Sequence, residues 1–142
     1  MTKITKIFSV RDFSGEKIPL YLSQPAAGFS IPGDDFIDDY LNINELLIDN
    51  PSATFFVKVS GDSMEGAKIF SGDILVVDRS VIPTSGNIVV AAVFGEMVVK
   101  RLDISTKGAF LNSENEGYEP IILTNNDDCL IWGTVIGSVR VF

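Results

Sequence analysis

The stretch of sequence that decides the fold runs from Ile88 to Leu102 and reads IVVAAVFGEMVVKRL. Both of its ends are rich in β-branched residues, which favour strands. Between them, residues 94–97 (FGEM) have the length and the glycine of a tight hairpin turn. The stretch therefore predicts two antiparallel strands, one from Ile88 to Phe94 and the other from Met97 to Leu102.

Strand-length apolar runs flank this hairpin on both sides. Turn sequences such as SGD at 71–73 and SGN at 85–87 separate them. The runs are Thr54–Val59, Ile74–Val77, Ala109–Leu111, Ile121–Leu123 and Leu130–Phe142. Many short strands at close spacing predict a mostly β fold, whose body is a curled antiparallel β-sheet or sandwich.

The first 50 residues have a different character, because prolines and glycines interrupt them. Pro25 and Pro32 favour extended backbone around them. We expect residues 1–27 to form an extended N-terminal arm and residues 28–50 to form a linker with short helical turns. The best candidate for such a turn is Asn44–Ile48. Residues 51–142 are then the β-rich domain.

Histidine is absent from the sequence, and this limits the available chemistry. A Ser-His-Asp triad, a Cys-His pair and a histidine-based metal site are all excluded. The single cysteine, Cys129, excludes an internal disulfide and multi-cysteine zinc sites. Its apolar neighbours predict a buried small hydrophobic residue. We expect no metal and no other cofactor, so any hydrolytic reaction needs a base other than histidine.

The charge and hydropathy patterns restrict the class of partner. A net charge of −8 opposes contact with a phosphate backbone, so we expect no direct sequence-specific DNA binding. No apolar run approaches the length of a membrane span, and the first residues do not have the pattern of a secretory signal. We therefore expect a cytoplasmic protein that does not enter a membrane.

Ser63 follows the predicted strand 54–59, within the segment GDSM at 61–64. A serine at the end of a strand, between glycines, can present its hydroxyl to a substrate, and backbone N–H groups of the turn can stabilise an oxyanion. The same composition is also typical of an ordinary turn. Ser63 is thus a candidate nucleophile whose role the local sequence leaves open.

The base for this serine would be lysine, aspartate or glutamate, and a Ser-Lys pair is a known variant of the triad. A lysine base must be neutral, so its usual pKa of about 10.4 must fall by roughly 2–3 units, which burial can achieve. Only Lys58 and Lys100 lie on predicted strands, and Lys58 is too close to Ser63 along one strand. Strand alternation puts Lys100 on one face with Val98 and Leu102. A solvated lysine at a strand edge is the alternative interpretation.

Four ordered blocks of the sequence resemble the LexA/UmuD family of self-cleaving serine peptidases of the S24 type, and its UmuD-like members in particular. The blocks are Ser60–Met64, Ser71–Asp78, Gly86–Val93 and Gly95–Leu102. The resemblance implies a β fold like that of the LexA C-terminal domain. It also implies that Ser63 is the nucleophile and Lys100 the general base of a Ser-Lys dyad.

The resemblance further implies a substrate and a set of partners. The scissile bond of the family joins Ala or Cys to Gly, which corresponds here to Ala27-Gly28. Backbone N–H groups at Ser63 and Met64 would hold the oxyanion. A RecA filament on single-stranded DNA would promote the cut. Residues 28–142 would then act as a homodimer with a UmuC-type Y-family DNA polymerase, in error-prone translesion synthesis during the SOS response to DNA damage.

Three other functions compete with this one. A LexA-type repressor-related autoprotease would need an N-terminal helix-turn-helix domain, for which fewer than 30 residues before Gly28 leave no room. A signal-peptidase-like enzyme would be expected to have an apolar anchoring helix. A catalytically inactive dimeric binding module is consistent with the same residues, because one misplaced side chain would abolish catalysis.

Overall fold

The computed structural model describes residues 1–10, 15, 17–21, 37–123 and 128–142. The chain divides into two compact units. Met1–Val10 and Asn50–Phe142 form the first unit, and Arg11–Asp49 form the second. The functional boundaries expected at residues 27 and 50 remain predictions.

Strands dominate the described residues, and those after residue 53 coincide with the predicted apolar runs. In chain order they are β1 (Lys3–Ser9), β2 (Ile18–Tyr21), β3 (Ile37–Leu41), β4 (Thr54–Ser60), β5 (Ile74–Asp78), β6 (Ile88–Val93), β7 (Glu96–Ser105), β8 (Gly108–Asn112), β9 (Ile121–Ile122) and β10 (Cys129–Val139). The first three strands lie where sequence reasoning anticipated an arm and a linker. Strand β1 is only weakly apolar, and it is a strand because it pairs with β4.

One antiparallel sheet organises the first unit. Within the described residues it has eight strands in the order β1-β4-β5-β10-β6-β7-β8-β9. Strand β1 also pairs with β7, where Lys3 lies opposite Val98, so the sheet curls back on itself. The prediction of a mostly β protein with a curled antiparallel sheet is therefore confirmed.

The hairpin that opened the sequence analysis is present. Strands β6 and β7 pair from Val93 and Glu96 at the turn to Ile88 and Arg101 at the far end. The turn residues, Phe94 and Gly95, both have positive φ, at 48° and 82°. Two consecutive positive φ angles are typical of the type I′ turn, whose twist matches that of the flanking strands.

The hydrophobic core lies on both faces of this hairpin. One cluster contains the buried residues Val57, Val59, Met64, Ile69, Leu75, Val77, Val90 and Val99. The other contains Val89, Ala91, Val93, Val98, Leu102, Leu111 and Cys129. Strands β6 and β7 contribute alternate residues to the two clusters, which explains why their sequence is almost continuously apolar. The expectation that Cys129 is a buried hydrophobic residue is confirmed.

The described part of the second unit contains the pair β2–β3 and one short helix, α1 (Ile43–Leu47). Asn42 caps the helix, because its side-chain oxygen accepts a hydrogen bond from the backbone N–H of Asn44 at 2.9 Å. The predicted helical turn at 44–48 is thus confirmed, with a shift of one residue. In the part of the chain that the structure describes, no helix has the length and hydropathy needed to cross a membrane.

Candidate active site

Ser63 lies in the turn that follows β4, and it is fully buried. Gly61 allows the first residues of the chain to lie close against this turn. Its φ of 104° suits glycine, and a side chain there would meet the backbone of Met1. The next residue, Met64, packs its side chain into the core cluster that contains Val57 and Val99. The turn is therefore held between the core on one side and the first residues of the chain on the other.

Thr2 covers the hydroxyl of Ser63. The backbone N–H of Thr2 donates to Ser63 Oγ at 2.6 Å, and Ser63 Oγ donates to Thr2 Oγ1 at 2.9 Å. Thr2 is also bound on the opposite side, where its carbonyl accepts a hydrogen bond from Val99 N at 3.0 Å. Thr2 therefore lies between the turn that carries Ser63 and strand β7, and it is bonded to both. Sequence reasoning did not identify Thr2, and nothing in the pattern of residues 1–10 signals this contact.

Lys100 is fully buried on β7, which agrees with the face that strand alternation assigned to it. Burial lowers the pKa of its amine, because the surrounding protein solvates the ammonium form less well than water does. Its Nζ donates a hydrogen bond to Ser113 Oγ and lies 5.7 Å from the ring centre of Tyr118. The alternative of a solvated lysine at a strand edge is excluded.

Ser63 and Lys100 are both attached to one short segment, which begins directly after β8. Lys100 contacts this segment at Ser113. The next residue, Glu114, donates its backbone N–H to the carbonyl of Ser63 at 2.8 Å. The carbonyl of Glu114 in turn accepts a hydrogen bond from Gly66 N at 2.6 Å. The strand that carries the lysine and the turn that carries the serine are thereby held together.

Side-chain contacts hold the same segment in place. The carboxylate of Glu114 pairs with Arg101, which also donates from Nη1 to the carbonyl of Gly86 at 2.6 Å. The hydroxyl of Tyr118 donates to Asp62, and this hydrogen bond is the main cause of the raised pKa of Tyr118. Arg101 and Glu114 are therefore paired with each other, while Lys100 has a neutral hydroxyl as its partner.

Several of the predicted site assignments remain predictions. Ala27 and Gly28, the predicted scissile pair, lie outside the described residues. The assignment of the backbone at Ser63 and Met64 to the oxyanion remains a prediction, as does the pairing of Ser63 with Lys100. No group of three or more Asp, Glu or Cys residues that could hold a metal ion occurs among the described residues.

Ser113 is the polar residue that sequence reasoning missed although a signal for it existed. In the β7–β8 pairing Arg101 lies opposite Asn112, so the next position places Lys100 opposite Ser113. Because the two strands form a short hairpin, the position of their turn sets this register. A search for polar residues opposite Lys100 would have found Ser113.

The curled antiparallel sheet buries Ser63 in the turn after β4 and Lys100 on β7, an arrangement compatible with a serine peptidase that has no histidine. A comparison with protein families supports this class, since residues 19–136 match the family described as Peptidase S24-like. The chain therefore belongs to the Peptidase S24-like family, and within it the chain is a UmuD-like member of the LexA/UmuD group.

Named relatives agree with this assignment. Protein MucA of Salmonella typhimurium is 39% identical over 122 residues, which span 86% of this chain and 84% of MucA. Protein SamA of the same species is 42% identical over 93 residues, 66% of each chain. The LexA repressor of Magnetococcus marinus is 44% identical over 98 residues, which span 67% of this chain and 42% of the repressor.

Proposed function

We propose that this chain is a serine autopeptidase that cuts its own Ala27-Gly28 bond once, with Ser63 as nucleophile and Lys100 as general base. The observation that carries the proposal is the complete burial of Lys100 on β7. A lysine can accept a proton near neutral pH only if its pKa is lowered, and burial does lower the pKa of this amine. The chain has no histidine that could serve instead.

The reaction follows the usual course of acyl transfer. Lys100 Nζ takes the proton of the Ser63 hydroxyl while Ser63 Oγ bonds to the carbonyl carbon of Ala27. The C–N bond to Gly28 then breaks, and the proton on Lys100 passes to the departing amine of Gly28. Water hydrolyses the resulting ester, which releases residues 1–27 and restores the serine. Backbone N–H groups at Ser63 and Met64 would stabilise the oxyanion in both steps.

The contacts of Thr2 support an extended substrate. Its N–H donates to the Ser63 hydroxyl, and its carbonyl accepts from the backbone N–H of Val99. The bond between Val99 and Thr2 joins two backbone groups, as do the bonds of an extended peptide that lies beside a strand edge.

The position of Thr2 also affects the proposed activity. Its N–H and its side-chain hydroxyl both bind Ser63 Oγ, so Thr2 must leave before the Ala27 carbonyl can reach this hydroxyl.

In this proposal cleavage is a switch for a role in SOS mutagenesis. A RecA filament on single-stranded DNA would stimulate the cut in the cytoplasm of a bacterial host. Residues 28–142 would then form a homodimer that supports a UmuC-type Y-family DNA polymerase in translesion synthesis. The similarity to MucA and SamA, together with the UmuD-like pattern of the catalytic blocks, supports this role. Loss of residues 1–27 would also remove β1 and leave the edge of β4 open.

Self-cleavage can be tested with purified protein by following intact mass between pH 7 and pH 10.5, with and without RecA filament. We expect loss of residues 1–27, at a rate that rises with pH as more Lys100 becomes neutral. Ser63→Ala and Lys100→Ala should each lower the rate by at least about 10³-fold, since each removes an essential member of the dyad. Lys58→Ala is the matched control, because Lys58 is an exposed strand lysine.

Three outcomes would contradict the proposal. If Ser63→Ala or Lys100→Ala cuts as fast as the parent, the dyad is wrong. If the parent is not cut even with RecA filament, the chain is a binding module. If the intact chain binds a defined DNA sequence in a mobility assay at physiological salt, the repressor function is favoured.

A further inference from the structure

The amine of Lys100 has a polar partner that the dyad mechanism does not include. Lys100 Nζ donates a hydrogen bond to the hydroxyl of Ser113, and both atoms lie inside the first unit. Burying an amine without a partner is costly, so this hydrogen bond lowers the cost of burying Lys100. The same bond also restricts the orientation of the amine.

Ser113 is held firmly on both sides. Before it, Asn112 pairs with Arg101 in the β7–β8 ladder, which fixes the backbone opposite Lys100. After it, the backbone N–H of Glu114 bonds to the carbonyl of Ser63 at 2.8 Å. The hydroxyl that meets the lysine is therefore fixed relative to the strand of the base and to the turn of the nucleophile.

A neutral lysine amine has two N–H groups and one lone pair. If one N–H is bound to a fixed acceptor, rotation about the Cε–Nζ bond is restricted and the lone pair points away from that acceptor. A general base acts only when its lone pair faces the proton that it removes. We propose that Ser113 is a positioning residue that holds the Lys100 amine so that its lone pair is free for the proton of Ser63. This inference rests on the proposed self-cleavage.

The same contact affects the proton affinity of Lys100. An ammonium group binds an acceptor more strongly than a neutral amine does, so the Ser113 hydroxyl favours the protonated form. Among the described residues, the ionisable groups near the amine include Tyr118, whose ring faces it, and two groups that bind the Tyr118 hydroxyl, Asp62 and the N-terminal ammonium of Met1. Glu65 acts electrostatically on Tyr118, and Arg101 and Glu114 pair with each other at the rim. Ser113→Ala leaves these groups in place, so a change in the titration of Lys100 reports on Ser113.

The test compares Ser113→Ala with Ser113→Thr, which keeps a hydroxyl, and with Ser105→Ala, which removes an exposed serine at the end of β7. The rate constant of self-cleavage is measured from pH 6 to pH 11. We expect Ser113→Ala to lower the plateau rate at least about tenfold, because the amine loses its orientation. We also expect it to lower the pH midpoint by about one unit, because the ammonium loses an acceptor. Threonine should restore both values, and Ser105→Ala should match the parent.

A second measurement makes the inference independent of cleavage. In the Ser63→Ala background, NMR of the lysine Cε resonances follows the titration of Lys100 with and without Ser113→Ala. An unchanged midpoint in both assays, or a threonine variant that behaves like alanine, would overturn the role of Ser113. If the parent itself is not cleaved, the proposed function fails. The NMR titration still decides whether Ser113 binds the amine.

Discussion

Replacing the buried lysine by an apolar residue of similar shape should abolish self-cleavage and stabilise the fold. Lys100→Met keeps an unbranched side chain in a site that is fully buried. The substitution removes the need to bury an ammonium or to deprotonate it. Replacing a buried ion pair by apolar residues often stabilises proteins by about 1–4 kcal/mol, and we take this range for the single buried amine. It also leaves the Ser113 hydroxyl without its partner, which costs about 1 kcal/mol. The expected net gain in the free energy of unfolding at pH 7 is therefore up to about 3 kcal/mol.

The stability gained by Lys100→Met should decrease as the pH rises. Because the pKa of Lys100 is lowered in the folded state, the unfolded chain binds more protons between that lowered pKa and about 10.4. The parent therefore becomes more stable as pH rises through this window, by up to about 1.4 kcal/mol per pH unit. Methionine does not titrate. The advantage of Lys100→Met should be greatest below the lowered pKa and should shrink as the pH approaches 10.4.

Urea unfolding followed by fluorescence of Trp132, from pH 6 to pH 10.5, measures this difference. Every protein should carry Ser63→Ala, so that self-cleavage does not interfere at high pH. Lys58→Met is the matched control, because Lys58 is exposed on β4 and its replacement should change stability by less than about 0.5 kcal/mol at any pH. A Lys100→Met advantage that stays constant with pH, or a loss of stability throughout the range, would refute the argument that burial lowers the pKa of Lys100.

Two further predictions concern contacts that only the folded chain contains. Thr2→Pro removes the N–H that binds Ser63 and should raise the rate of self-cleavage about tenfold; an unchanged or slower rate in the intact-mass assay would show that Thr2 does not restrain the serine. Arg140→Met should lower the urea midpoint at pH 7, because buried Asp73 loses two 2.8 Å hydrogen bonds from the guanidinium that holds its pKa low. This deficit should fade as pH falls below the lowered pKa of Asp73, where the carboxyl is protonated, and a deficit that persists at pH 2 would contradict it.

Sequence reasoning was most successful where neighbouring residues interact. The β6–β7 hairpin was predicted to within three residues at every strand end, because its two strands and its turn are continuous in the chain. Lys100 was the candidate for a buried lysine for the same reason, since alternation along one strand places it on a face with Val98 and Leu102. Ser113 lies within reach of this kind of argument, because β7 and β8 form a short hairpin whose turn sets their register.

The sequence by itself determined the strands after residue 53, excluded histidine from the chemistry and left Lys100 as the candidate base on an apolar strand. Only the tertiary structure decided what covers Ser63, the candidate nucleophile. Thr2 and Ser63 are 61 residues apart, and β1 reaches β4 across a segment whose length does not set their register. Such pairing depends on which edge of the assembled sheet is open. A weakly apolar run like residues 3–9 therefore becomes a strand only when it can form backbone hydrogen bonds with the edge of β4.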